Sequence, residues 1–183
     1  MSIMAVTAKS EDPVMASQRS LRKGRSDRLA AQMEPFDSFW EGPEDIEKGY
    51  RTFKAFYRAN YLKHVTADKN ARILVISCGP GYFVNVLNQA GYHNVTGIDS
   101  YADKVEHGRF HGLNCVHARA FEYLAEQDDE SYDVIFGEQE LNHLTKDEVI
   151  EFLFLTKSKL RPCLLYTSPS PRDQRGSRMP SSA

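Results

Sequence analysis

The sequence predicts an α/β domain with a doubly wound parallel sheet, and three observations carry that prediction. Short apolar runs alternate four times with segments of helical periodicity, an order that builds a parallel sheet through right-handed crossovers. The first run, Ile73-Leu74-Val75-Ile76, is apolar throughout, as a strand covered on both faces must be. It stops at Ser77-Cys78-Gly79-Pro80-Gly81, a tight turn of small residues that brings backbone close to a ligand before a helix resumes.

The 183 residues and 41% hydrophobic content are enough for one domain with a real core. A formal charge of -2 gives no field that would draw in nucleic acid or an anionic membrane. The sequence holds no apolar run of bilayer length and no secretory h-region, so the default compartment is the cytosol. Cys78, Cys115 and Cys163 lack metal-ligand spacing, which argues against a disulfide framework and a zinc site, and no metal is expected. The oligomeric state stays open.

Residues 1–35 read as a disordered basic arm, with Arg19, Arg22, Lys23, Arg25 and Arg28 set among Ser, Ala and Gln. A solvated tail is favoured over a nucleic-acid arm or transit peptide because Glu11, Asp12 and Asp27 interrupt the charge. Order is expected from Phe36, with Phe39 and Trp40 preceding a Gly-Pro turn. From Glu44, Ile46, Tyr50, Phe53, Phe56, Tyr57 and Leu62 recur at helical spacing. Core packing is the favoured role of this aromatic helix; a lid using Tyr50, Tyr57 or Tyr61 is the alternative.

Arg72 to Ile76 is the first strand, and the helix after Gly81 buries Phe83, Val86, Leu87 and Ala90 before Gly91 ends it. The second strand, Asn94 to Asp99, ends in an acid. A helix over Ala102–Phe110, a third strand around Leu113–His117 and a helix from Phe121 to Glu126 follow. The acidic loop Gln127–Glu130 reads as a solvated connection. The fourth strand is Tyr132–Phe136, and Thr145 and Glu148 stand in capping-box spacing ahead of a helix to Leu160.

The loops Ser77–Tyr82, Asp99–Tyr101 and Gly137–His143 should converge beyond the carboxyl ends of the strands, flanked by Ala118–Phe121. Asp99 lies at the tip of the neighbouring strand, where a carboxylate can accept both ribose hydroxyls. A dinucleotide fingerprint needs a third small residue, and Val84 stands there; a P-loop needs GK[ST], which is missing. A nucleoside without pyrophosphate remains.

From about Glu44 to Pro162 the chain resembles the class I S-adenosylmethionine-dependent methyltransferases. Ile73 to Gly81 is similar to the family's glycine motif, Asp99 to its ribose acid, and Tyr132-Asp133-Val134-Ile135-Phe136 with Leu141, His143 and Leu144 to its fourth-strand motif. Lys159-Leu160-Arg161-Pro162 resembles the helix end that in the family runs into a fifth strand. The resemblance implies a Rossmann-like sheet of four parallel strands in order 3-2-1-4 with flanking helices, here incomplete. It implies S-adenosylmethionine as cofactor, held by Ser77, Cys78, Gly79, Gly81, Asp99, Ser100, Arg119, Ala120 and Glu138. Glu138 and His143 are the candidate catalytic bases for a hydroxyl acceptor, with a structural role preferred for His143.

Val75 stands where the family has an acid, Ser77 replaces its first glycine, Arg119 replaces an adenine-binding Asp, and Gln139 and Asn142 replace acids after the fourth strand. Ser77 is tolerable with a negative φ, whereas each lost acid costs binding about 1–3 kcal/mol if its partner is left unpaired. Backbone at Ala120 and the Glu138 carboxylate are the expected compensation. The acceptor implied is a small molecule or glycan, because the Asp/Asn-Pro-Pro-Tyr motif used on nucleic-acid bases is absent. A cofactor-binding pseudoenzyme or interaction module is the alternative, and an NAD-dependent reductase is disfavoured by Val84.

Residues 163–183 resemble, in one reading frame, the translation of a transposon-type sequencing adapter, with an index-sized gap over Gln174 to Gly176. They are expected to be a non-native tail, with the domain of residues 36–162 cut off near Pro162. Such a fragment is expected to be poorly stable and to show no turnover.

Overall fold

The computed structural model describes Arg25, residues 43–138 and residues 140–162. The expected basic arm apart from Arg25, the aromatic trio Phe36, Phe39 and Trp40, Gln139 and the expected non-native tail lie outside the described residues.

Four strands, β1 (Arg72–Ile76), β2 (Asn94–Asp99), β3 (Cys115–His117) and β4 (Val134–Gly137), form one parallel sheet in the predicted order β3-β2-β1-β4. Ile73 lies opposite Val95 and Val134, and Ile76 opposite Ile98 and Gly137. This register brings the strands to one carboxyl edge. The helices are α1 (Pro43–Asn60), α2 (Tyr82–Gln89), α3 (Ala102–Phe110), α4 (Ala120–Glu126) and α5 (Lys146–Lys159).

The unbroken apolar run of β1 has a direct packing cause. Ile73 and Val75 enter a cluster with Phe83, Val84, Val86 and Leu87 of α2 and Val105 of α3, against which Tyr50 and Tyr57 of α1 pack. Leu74 and Ile76 point to the other face, among Phe121 and Leu124 of α4 and Phe152 of α5. Successive side chains of a strand alternate faces, so both sets are buried only because helices cover both sides. The crossovers change face between β1 and β4, which marks the switch point of the sheet.

Local signals set most boundaries. Pro43 occupies the first position of α1, where its missing N–H costs nothing. Gly91 follows α2 with a φ of 90°, and the Thr145–Glu148 capping box opens α5. Three expectations shift. β3 begins at Cys115 because the Leu113 N–H still closes α3 on the Gly108 carbonyl. β4 begins at Val134 because Tyr132 bridges Leu160, while the Asp133 carboxylate accepts from the Arg72 N–H and from Arg161, each at 2.7 Å. The acidic loop is more than a solvated connection: Asp129 accepts from the buried Lys159 at 2.7 Å, and the Glu130 carbonyl accepts from Arg72 at 3.0 Å.

No helix among the described residues is long and apolar enough to cross a membrane.

Candidate active site

The turn after β1 uses three left-handed residues, Ser77 (φ 53°), Gly79 (φ 54°) and Gly81 (φ 86°). At Gly81 only glycine fits, because a Cβ would lie 2.7 Å from Leu113 Cδ1 as well as adopting an unfavourable backbone. Ser77 departs from the negative φ that its tolerance required. Its side chain offers a compensation: Ser77 Oγ donates to a carboxylate oxygen of Glu140. Cys78 is buried beneath the turn beside Cys115, and its N–H donates to the Ile98 carbonyl at 2.9 Å, tying the turn to β2.

Val84 fails the small-residue rule in sequence, yet the close helix–strand approach survives. A Cβ on Gly97 of β2 would lie 2.8 Å from Val84 Cγ2. The missing side chain has moved from the helix to the facing strand. Val84 alone therefore does not separate a nucleoside site from a dinucleotide site.

Asp99 is 7% exposed at the end of β2. One carboxylate oxygen accepts the Gly79 N–H at 2.7 Å, and the other accepts the Tyr101 N–H at 2.9 Å. Burial raises its carboxyl above the ordinary range, and the two N–H bonds oppose that shift. A carboxylate has about four acceptor sites, so each oxygen keeps capacity for a hydroxyl. Ser100 is half-buried next to it, with its carbonyl 3.0 Å from His117 Nε2. Arg119 is exposed as the residue before α4, and Ala120 opens that helix. Both lie on the loop that the Ala118 N–H ties to the Asp99 carbonyl at 2.9 Å.

The other side of the site is built at the mouth of β4. Glu138 accepts from the hydroxyl of Tyr57 at 2.7 Å and from that of Tyr61 at 3.1 Å. Glu140 starts a 3-10 turn that ends at His143, and it reaches back to Ser77. Burial pushes the Glu140 carboxyl up, the Ser77 hydrogen bond opposes this, and the charge of Asp99 adds to it. His143 is half-buried at the far end of the turn.

Glu140 escaped the sequence reading, which looked for acids at the positions of Gln139 and Asn142. The fitting signal was a second acid, after Glu138, within three residues of β4. Val75, at the position of another expected acid, is 2% exposed among apolar neighbours and offers nothing to a ligand.

Helix α1 packs in the core, the favoured role, and also contacts the site. Tyr57 stacks on Phe83 with ring centroids 5.0 Å apart, which is core packing. Its tyrosine hydroxyls also reach the site: Tyr50 donates to the Pro80 carbonyl in the turn, while Tyr57 and Tyr61, just beyond the helix, hold Glu138. Further along, Glu47 of α1 meets His107 and His111 at the end of α3. The expectation of no metal rested on cysteine spacing and did not weigh these histidines.

Residues 73–162 match a family described as a methyltransferase domain. A SAM-dependent methyltransferase from Archaeoglobus fulgidus is 25% identical at a TM-score of 0.56, covering 69% of this chain and 52% of that one. Haemonchus contortus phosphoethanolamine N-methyltransferase 1, solved with phosphoethanolamine and S-adenosylhomocysteine, is 23% identical at a TM-score of 0.59, covering 73% and 30%. A SAM-dependent methyltransferase from Aquifex aeolicus is 21% identical at a TM-score of 0.50, covering 66% and 68%. The chain thus spans about half the length of the first and under a third of the second. No curated protein matches the sequence.

Proposed function

We propose that residues 73–162, which match a methyltransferase domain, are part of a class I S-adenosylmethionine-dependent methyltransferase that binds S-adenosylmethionine at the Ser77–Gly81 turn, and that the full-length protein transfers methyl to a small-molecule or glycan-type acceptor. The observation that carries the reading is Asp99, whose carboxylate is fixed by two backbone N–H groups at the tip of β2, directly against the glycine turn. The donor set suits a cationic nucleoside. Asp99 and Glu140 are two desolvated carboxylates, the charge of Asp99 raises the proton affinity of Glu140, and a positively charged ligand offsets that repulsion.

The cofactor supplies an electrophilic sulfonium methyl group, so the protein's task is mainly orientation. Asp99 accepts the ribose hydroxyls, with backbone at Gly79 and Gly81 close by. Ser100, Arg119 and Ala120 flank the base. Glu140, which accepts from the Ser77 hydroxyl, sets negative charge towards the cationic end. Glu138, oriented by Tyr57 and Tyr61, takes the proton released by an acceptor hydroxyl, and His143 is the second candidate for that role. The acceptor class rests on the absent base-handling motif and the near-neutral charge.

Binding without turnover is the second reading. It is favoured by Val75, which is sealed in the core, and by Glu138, whose two oxygens already accept from tyrosines. Calorimetry on the full chain tests the cofactor that both readings share. S-adenosylmethionine and S-adenosylhomocysteine are expected to bind, NAD is not, and Asp99→Ala should abolish binding. No binding at millimolar ligand, or a preference for NAD, defeats the cofactor reading. Binding to a full-length version without product across an acceptor panel supports the second.

A further inference from the structure

Helices α1 and α3 meet outside the site just described, at three side chains with metal-binding chemistry. His107 and His111 are four residues apart, so one helical turn sets them on the same face. Both direct Nε2 at a single oxygen of Glu47, with His107 at 3.1 Å and His111 at 2.5 Å. The three donor atoms lie within 4.8 Å of one another. The side chains are 18%, 31% and 48% exposed for His107, His111 and Glu47, open enough for an ion to enter.

A plain ion pair is the simpler account, but it explains one imidazole better than two. A carboxylate facing solvent gains little from a surface ion pair, and two protonated imidazoles side by side would repel. Their ring centroids are 5.0 Å apart. Two imidazole nitrogens and one carboxylate oxygen gathered within 4.8 Å of one another form instead a ligand set for a divalent ion. Imidazole nitrogen selects zinc and its first-row neighbours over calcium and magnesium, which take oxygen.

We propose that Glu47, His107 and His111 form a three-ligand site for one divalent transition-metal ion, zinc foremost, that clamps α1 to α3. A fourth position is left to water. The Tyr50 ring lies 4.6 Å from the His111 ring, and its hydroxyl donates to Pro80. The clamp therefore fixes the segment of α1 that lies on the glycine turn. The inference stands whether or not the chain transfers methyl groups.

The test uses the full chain without a polyhistidine tag, stripped with chelator and titrated with zinc by calorimetry and with cobalt(II) by visible absorption. One equivalent of zinc is expected to bind and to raise the thermal midpoint. His107→Gln, His111→Gln and the exposed Glu47→Gln should each weaken zinc by more than about tenfold, while His93→Gln leaves it unchanged. Urea melts of the stripped variants show that each is folded, and Glu47→Gln keeps the test valid if a histidine variant is not. Absence of zinc binding at millimolar concentration, unchanged affinity in Glu47→Gln, or thiolate charge-transfer absorption with cobalt overturns the proposal.

Discussion

The two sides of the candidate site hold their acids by different means. On the β2 side, Asp99 is fixed by the backbone N–H groups of Gly79 and Tyr101, partners that any sequence of the same fold supplies. On the β4 side, Glu138 and Glu140 are held by side chains, the hydroxyls of Tyr57, Tyr61 and Ser77. A backbone-built contact is as rigid as the sheet it belongs to. A side-chain contact depends on where a distant helix docks, here α1, whose Tyr57 lies 81 positions from Glu138. The first half is a property of the fold, and the second is a property of this chain.

Replacing Asp99 gives the largest expected effect. In Asp99→Asn one acceptor oxygen becomes an NH2 donor facing an N–H, so a buried donor loses its partner at a cost of about 1–3 kcal/mol in stability. The ribose hydroxyls lose an acceptor as well. S-adenosylhomocysteine affinity should fall by roughly 100-fold, since each 1.4 kcal/mol is about a factor of ten. Calorimetry that found nearly unchanged affinity would place the nucleoside elsewhere and erase the contrast between the two sides.

Glu140 has an intermediate, pH-dependent effect. Its carboxyl is raised in the folded chain, so the folded state holds the proton more tightly than the unfolded state. The charged form therefore costs stability at neutral pH, and the cost fades as pH falls through the raised value towards the ordinary carboxylate value of about 4.3. Glu140→Gln removes that cost. Without ligand, the variant should gain on the order of 1 kcal/mol at pH 8, the usual scale for one buried polar group, and converge with the parent as the pH falls towards 4. Paired urea titrations check the slope, and a gain that persists unchanged to low pH would mean that Glu140 is not charged in the parent.

This difference also decides what the sequence could reveal. The double-faced apolar run of β1, the acid closing β2 and the Thr145–Glu148 cap are local patterns, and each lies where it was read. The strand order followed from resemblance and agrees with the sheet. The rule that failed was positional. Val84 broke a spacing pattern, but the pattern's physical content is closeness of helix and strand, and Gly97 supplies it from the strand. Glu140 and the tyrosine contacts were not legible, because nothing local says that a 3-10 turn will return a carboxylate to Ser77 or that α1 will bring hydroxyls to Glu138. The same holds for Glu47, which is 60 positions from His107 although the histidine pair itself shows helical spacing.

Ser77 sits between the two sides and carries the smallest expected effect, which isolates backbone from side chain. Its φ of 53° is a left-handed conformation costing a non-glycine residue about 1–2 kcal/mol. Its hydroxyl bond to Glu140 returns a comparable amount, about 1.5–3 kcal/mol for a bond to a charged group. Ser77→Ala keeps the strained backbone and loses the bond. Ser77→Gly loses the bond but relieves the backbone, so it should be more stable than Ser77→Ala by about 1 kcal/mol and lie near the parent. Comparing urea midpoints of the two variants cancels the shared loss of the hydroxyl. If alanine is as stable as glycine, the turn carries no strain at this position. The Ser77–Glu140 bond would then act only on the charge of the β4 side and would not compensate for the backbone.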